Sequence, residues 1–329
     1  MRRTITLILI AVLLAIVVVF VWSRSAASAR LAALSARAEA VETRHGAMDY
    51  TQQGDGPTVL VIHGAGGGFD QGELIAAHFL APCFRLLSVS RFGYLGSPVP
   101  TDASPMAQAD ALADLLAALA VGPVGVLAMS GGVPSALELA IRHPDAVSGL
   151  VLLSSAPFGP MPDPAADRAV PPWIFRAFFA SDVPYGLLVR LRPGLLRLAF
   201  DARADLMAGA SAEDRALVAA LIAAFPPVRH RRAGLANEGA ALDPEVGWNL
   251  GAVGAPVLIV HAEGDAITPV AVAAHLARHL RRARFVRLPS GGHLLLGHRA
   301  RVRAAGTHIL RGTTGNPSDT LTETDPCSA

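Results

Sequence analysis

The stretch Val124-Gly-Val-Leu-Ala-Met-Ser130-Gly-Gly-Val-Pro-Ser-Ala-Leu-Glu-Leu-Ala140 decides how this chain is read. An apolar, β-branched run enters a serine, two glycines follow, and a helical pattern begins. A run apolar on successive residues suits a strand covered on both faces. A serine on so sharp a turn needs small residues two places either side, because the backbone there is crowded. Ala128 and Gly132 fill those places. The turn puts Ser130 at a helix start, whose dipole favours a developing anion. A plain helix-capping serine is the competing reading.

Working outward, similar apolar runs occur at 58–63, 86–90, 149–154 and 256–261, with a sixth after Val124–Met129 at 284–288. Helical spacing separates them at 105–120, 134–143 and 270–282. This alternation predicts an α/β fold: a mostly parallel twisted sheet flanked by helices. Residues 41–45 and 47–52 predict an antiparallel hairpin at its edge. Residues 158–253 interrupt the alternation with Pro, Phe and short helical patterns, and read as a helical lid inserted over the sheet. The core is then 41–157 plus 254–311, and 312–329 reads as a disordered tail.

Three further motifs carry chemistry. Val59-Leu-Val-Ile-His63-Gly-Ala-Gly-Gly-Gly68 ends a strand in a glycine-rich turn. Backbone N–H groups of Ala65 and Gly131 are the candidates for an oxyanion hole. The turn lacks the Gly-Lys-Ser/Thr ending and the Gly-x-Gly-x-x-Gly register of phosphate loops. His63 itself reads as structural. Pro256-Val-Leu-Ile-Val-His-Ala-Glu-Gly-Asp265-Ala-Ile-Thr-Pro269 places an acid after a strand, with Glu263 a weaker candidate for the same role. Leu288-Pro-Ser-Gly-Gly-His293 places a histidine after the last strand.

The order Ser130, Asp265, His293, with the glycine turn and Ser90-Arg-Phe-Gly-Tyr-Leu-Gly-Ser97, resembles the serine-nucleophile, cap-containing α/β-hydrolases over about residues 41–311. Gly is usual where Ala128 stands. The resemblance implies Ser130 as nucleophile, His293 as base, Asp265 as its orienting acid, and hydrolysis of a small or medium acyl substrate. It implies no metal and no organic cofactor. A serine at this position disfavours the haloalkane and epoxide branches, which use aspartate. C–C bond hydrolysis of a dienoate, perhydrolysis, and a non-catalytic binding protein on this scaffold remain open. Trp173, Phe175, Phe178, Phe179, Tyr185 and Leu187 offer an apolar lid wall, or simply pack the lid.

Composition bounds the rest. Of 329 residues 52% are hydrophobic and only 16% charged, which excludes a mostly disordered chain. The net charge of +2 gives no footprint for nucleic acid. Every basic residue is Arg, which fits a GC-rich genome; Arg190, Arg192, Arg197 and the 229–232 cluster read as solvated side chains, with a substrate carboxylate or anionic lipid as alternatives. Residues 4–22 carry no charge and as a helix reach about 28 Å, near a bilayer's thickness. They predict a membrane anchor over 1–23, followed by a polar helical stalk over 24–40 and an extracytoplasmic body. A cleaved signal ending at Ala27-Ser28-Ala29 is the alternative. Cys83 and Cys327 are the only cysteines, and a bridge between them is not expected because Cys327 lies in a polar tail. Oligomeric state is not legible.

Overall fold

A computed structural model describes residues 2–156, 181–240, 248–312 and 327. Trp173, Phe175, Phe178, Phe179 and most of the expected tail lie outside the described residues. The strands are β1 (Glu39–Thr43), β2 (Gly46–Gln53), β3 (Thr58–Ile62), β4 (Arg85–Val89), β5 (Val124–Met129), β6 (Val147–Leu153), β7 (Val257–Ala262) and β8 (Ala283–Leu288). They form one sheet in the order β1-β2-β4-β3-β5-β6-β7-β8. β1 and β2 make the antiparallel hairpin, and β2 joins β4 antiparallel. From β4 to β8 every pairing is parallel. The six expected runs are therefore strands, with ends shifted by one or two residues.

Helices cover both faces. Among the described residues they are α1 (Arg2–Ser35), α2 (Phe69–Phe79), α3 (Pro105–Ala118), α4 (Val133–Arg142), α5 (Asp182–Leu191), α6 (Pro193–Arg197), α7 (Ala204–Gly209), α8 (Ala212–Ala224), α9 (Arg232–Ala240), α10 (Val270–His279) and α11 (Arg299–Leu310). One apolar cluster, with Leu60, Leu112, Val126 and Leu137, fills the α3–α4 side. The other, with Phe79, Leu127, Leu153 and Leu258, fills the α2–α11 side. Side chains alternate across the pleat, so Val126 and Leu127 of one strand serve different clusters. Helices α5 to α9 all lie between β6 and β7 in sequence, where the alternation breaks. Ser104 caps α3, accepting from Ala107 N at 3.2 Å, and a capping box of Ser211 and Asp214 opens α8.

Helix α1 is long and apolar enough to cross a membrane. Its first part exposes Ile5, Leu9, Leu13 and Phe20. The part read as a stalk packs on the body: Leu34 is buried, Arg30 bonds Asp70 at 3.0 Å, and Arg37 bonds Glu73 at 2.6 Å.

Two expectations are corrected. Cys83 and Cys327 form a disulfide, with their Cα atoms 5.7 Å apart. Helix α11 packs against α2, with Arg303 donating to the Ala77 carbonyl at 2.6 Å, six residues before Cys83. The fifteen-odd residues beyond α11 reach up to roughly 50 Å, enough to close the loop whatever their polarity. Arg231 of the 229–232 cluster is fully buried rather than solvated. It pairs with Asp70 at 2.8 Å and donates to the carbonyls of Phe225, Ala224 and Gly67. A buried guanidinium persists only where its donors are so completely matched.

Candidate active site

Ser130 follows β5 directly and opens the turn into α4. Its φ is +51°, a left-handed conformation that costs a non-glycine residue about 1–3 kcal/mol. The turn is held from both sides. A Cβ on Gly132 would stand 2.6 Å from the carbonyl oxygens of Ile62 and His63, so only glycine lets the β3 loop approach. Ala128 is fully buried within β5, and its methyl group is accommodated.

Asp265 and His293 lie in the loops after β7 and β8. His293 Nδ1 is 2.9 Å from Asp265 Oδ2. Asp265 Oδ1 accepts from the backbone N–H groups of Ile267 and Thr268 at 2.8 and 2.9 Å, and Oδ2 also accepts from Thr268 Oγ1 at 2.9 Å. Burial pushes this carboxyl up. The hydrogen bonds from His261 and His293, the charge of His293 and the Thr268 N–H outweigh burial, and hold it far below the ordinary carboxylate range. Asp265 is thus an anion that fixes the Nδ1–H tautomer of His293, leaving Nε2 as the basic nitrogen. Glu263 points elsewhere, into an exposed pair with Arg287 at 2.8 Å.

Four residues that sequence reasoning did not single out hold these loops. Asp201 Oδ2 accepts from His293 N and from Ala266 N, both at 3.0 Å, so one carboxylate ties the histidine loop to the acid loop. Ser154, at the end of β6, donates to the His293 carbonyl at 2.8 Å. His261 donates to the Thr268 carbonyl at 2.9 Å and lies 3.3 Å from Asp265 Oδ2. Thr268 completes the cradle. Only His261 and Thr268 had a local signal, since both fall within the quoted Asp265 motif. Asp201 and Ser154 are 92 and 139 residues from His293.

The glycine turn lies across from these loops. His63 Nδ1 donates to the Gly64 carbonyl at 2.6 Å, and Nε2 accepts from Arg91 N at 3.0 Å. Both ring nitrogens are engaged. Arg91 Nε donates to the His63 carbonyl at 2.9 Å, and its far end pairs with Glu238 of α9. Tyr94 accepts from Gly66 N at 3.1 Å and donates to Glu238 at 2.7 Å. Ala65 N lies 3.3 Å from the point where a Cβ on Gly131 would stand, so Ala65 and Gly131 are neighbours across the turn.

Ser130 forms a wall shared by two cavities. One, of about 960 Å³ including its open mouth, is apolar and also reaches His63, Ala65, His293, Leu196, Phe200 and Phe225. The other, of about 830 Å³ on the same basis, is lined by Gly131, Arg91, Tyr94, Gln108 and Glu238. Ser130 and His293 therefore face one space. Among the described residues no direct hydrogen bond joins them, and such contacts often tighten only when substrate binds. Of the expected residues, all five lie around this space: Ser130, His293 and Ala65 on the apolar cavity, Gly131 beside Ser130, and Asp265 behind His293. Among the described residues no group of three or more His, Cys, Asp or Glu is placed to hold a metal.

Comparison with known proteins agrees with this architecture. A family model described as alpha/beta hydrolase fold matches residues 57–299. A pimeloyl-[acyl-carrier protein] methyl ester esterase from Aromatoleum aromaticum is 34% identical over 168 residues, which is 48% of this chain and 62% of that protein. The chain thus matches less than two thirds of the length of this curated relative. An alpha/beta hydrolase fold protein from Nakamurella multipartita superposes with a TM-score of 0.66 at 27% identity, covering 84% of this chain and 99% of that one. The enol-lactonase from Burkholderia xenovorans superposes with a TM-score of 0.59 at 18% identity, covering 84% of this chain and 100% of that one, a likeness of fold alone. A family match over most of the chain, joined to the sheet order and the strand-to-helix serine turn, means that the chain belongs to the alpha/beta hydrolase fold family.

Proposed function

We propose that the chain is a membrane-tethered serine hydrolase acting on an ester or related acyl substrate of small to medium size. One observation carries this reading: the 2.9 Å bond between Asp265 and His293, on a histidine that shares a cavity with Ser130. Ser130 Oγ attacks the carbonyl carbon and His293 Nε2 takes its proton. Asp265 stabilises the imidazolium that forms. The N–H groups of Ala65 and Gly131 receive the oxyanion, an interaction worth some 3–4 kcal/mol per donor. His293 returns the proton to the leaving group, and water then releases the acyl group by the reverse sequence.

The kinship with a methyl ester esterase supports ester chemistry. We read 41–157 with 254–311 as the catalytic core, 158–253 as its cap, and 1–23 as an anchor continuous with the helix that follows. The Cys83–Cys327 disulfide supports an extracytoplasmic body, because such bonds persist in oxidising compartments.

A fluorophosphonate probe should label the protein at Ser130, mapped by peptide mass spectrometry. Ser130→Ala and His293→Ala should each lower kcat on p-nitrophenyl butyrate by about 10⁴-fold or more. Near-normal turnover by Ser130→Ala would refute the assignment. A panel of esters, thioesters and vinylogous ketones separates acyl hydrolysis from C–C bond cleavage.

A further inference from the structure

The segment that follows α5 has two faces with different surroundings. Inward, Leu196 and Phe200, together with Ala199, line the apolar cavity that holds Ser130. Outward, Leu191, Leu195 and Leu198 are 70%, 56% and 61% exposed. Arg190, Arg192 and Arg197 stand exposed among them, and residues 183–200 contain no acid. A soluble surface seldom leaves three leucines so bare on one short segment.

This face continues the surface of α1. The Arg190 guanidinium lies 3.1 Å from the ring centre of Trp22, the last residue of the uncharged run. A Cβ on Gly186 would stand 3.6 Å from Ser23 Oγ, so α5 crosses α1 just there. One turn or less toward the N-terminus, Phe20 and Val21 are exposed. Tryptophan and arginine at the end of an apolar run mark the boundary between lipid and water. Arginines beside exposed leucines can bury their stems and keep their charges among anionic headgroups.

We propose that the outer face of residues 190–200 rests on the anionic lipid surface beside α1, and that the acyl cavity behind it receives an ester whose acyl chain is dissolved in that bilayer. The proposal rests on the membrane-tethered esterase reading above and adds the surface, the lipid charge and the substrate's route. The same short segment is then both membrane contact and pocket wall.

The test uses the full chain in nanodiscs of phosphatidylcholine with phosphatidylglycerol, in nanodiscs of phosphatidylcholine alone, and in detergent. Hydrogen exchange across 190–200 should be slowest in the anionic discs. The triple variant Leu191→Ser, Leu195→Ser, Leu198→Ser should lose that protection. It should also raise KM for a bilayer-dissolved 4-methylumbelliferyl decanoate by about tenfold or more. Its kcat/KM for the water-soluble acetate should match the parent. Arg192→Gln with Arg197→Gln, which leaves the three leucines in place, should abolish the difference between the two disc types. Exchange in anionic discs as fast as in detergent, or an unchanged KM for the decanoate, overturns the proposal. If carbonate leaves the chain in the membrane and the probe still labels Ser130, that failure belongs to the docking surface alone. A chain stripped off by carbonate overturns the anchor as well, and an unlabelled Ser130 overturns the esterase reading.

Discussion

The two cavities that meet at Ser130 are similar in size and both largely apolar, but charged and hydrogen-bonding side chains gather on one of them. On one side Leu196, Phe200, Leu221, Phe225 and Leu235 come from the helices inserted between β6 and β7. On the other, Arg91, Tyr94, Ser104 and Gln108 come from the loop after β4 and the start of α3, while Gly234, Asn237 and Glu238 are supplied by the inserted helices. Apolar walls hold an alkyl chain without directional demands, whereas the polar side offers donors and acceptors that must be matched or left unpaired. On the proposed reading the acyl chain lies on the first side and the alcohol on the second. Ala65 of the glycine turn lines both, and the turn is held by Arg91 at His63, by Tyr94 and Gln71 at Gly66 and by Arg231 at Gly67.

Arg91 is therefore where the comparison breaks most severely. Arg91→Met removes the bond to the His63 carbonyl and leaves Glu238 without its cation beside Gly131. We expect kcat on short and long esters alike to fall by about 10²-fold or more, comparable with the loss of an oxyanion donor. Adding Glu238→Gln should recover part of the loss by removing the stranded charge. A double variant no better than Arg91→Met would show that the carboxylate is not what harms the site.

Phe225→Ala sharpens the comparison on one side only. The ring stacks on Tyr185 at 4.9 Å and faces the apolar cavity. KM for an octanoate ester should rise about tenfold while the acetate is handled as before, and stability should fall by about 3 kcal/mol. Equal losses on both esters would move the acyl chain to the other cavity.

The mildest effect is set by pH. Burial, then the charge of Arg91, push His63 well below the ordinary histidine range, and burial lowers His78 too. A folded-state value below the unfolded one means that the unfolded chain takes up the proton first. Stability is therefore full above the unfolded value of about 6.5. It is lost as pH falls toward the folded value, by up to about 1.4 kcal/mol per pH unit for each group. Urea midpoints measured from neutral to mildly acidic pH should decline, and His63→Gln should flatten part of that slope. A flat profile in the parent protein would mean that His63 is charged in the fold.

How much was legible in the residues differs between these regions for one reason. The strands, the serine turn and the acid and histidine loops each lie within about ten consecutive residues, where side-chain alternation and small-residue turns leave a direct trace. The chain order Ser130, Asp265, His293 matches the order that the resemblance to the α/β-hydrolases implies. The polar cavity left only a turn motif, because Glu238 reaches Arg91 across 147 residues. The inserted helices were visible as a break in the pattern, but not as a wall, since their spacing serves packing and pocket equally.

The linear chain by itself determined the α/β class, the strand-by-strand alternation and the residues that stand at strand ends. Those depend on periodicity and local backbone sterics, which neighbours in sequence impose. Only the tertiary structure decided that Asp201 binds two loops at once, that Arg231 is buried against Asp70, that Cys83 meets Cys327, and that the helix after Trp22 packs on the body. Each of these joins residues more than about thirty positions apart. Such contacts depend on how whole elements pack, and no local pattern of charge or hydropathy encodes that.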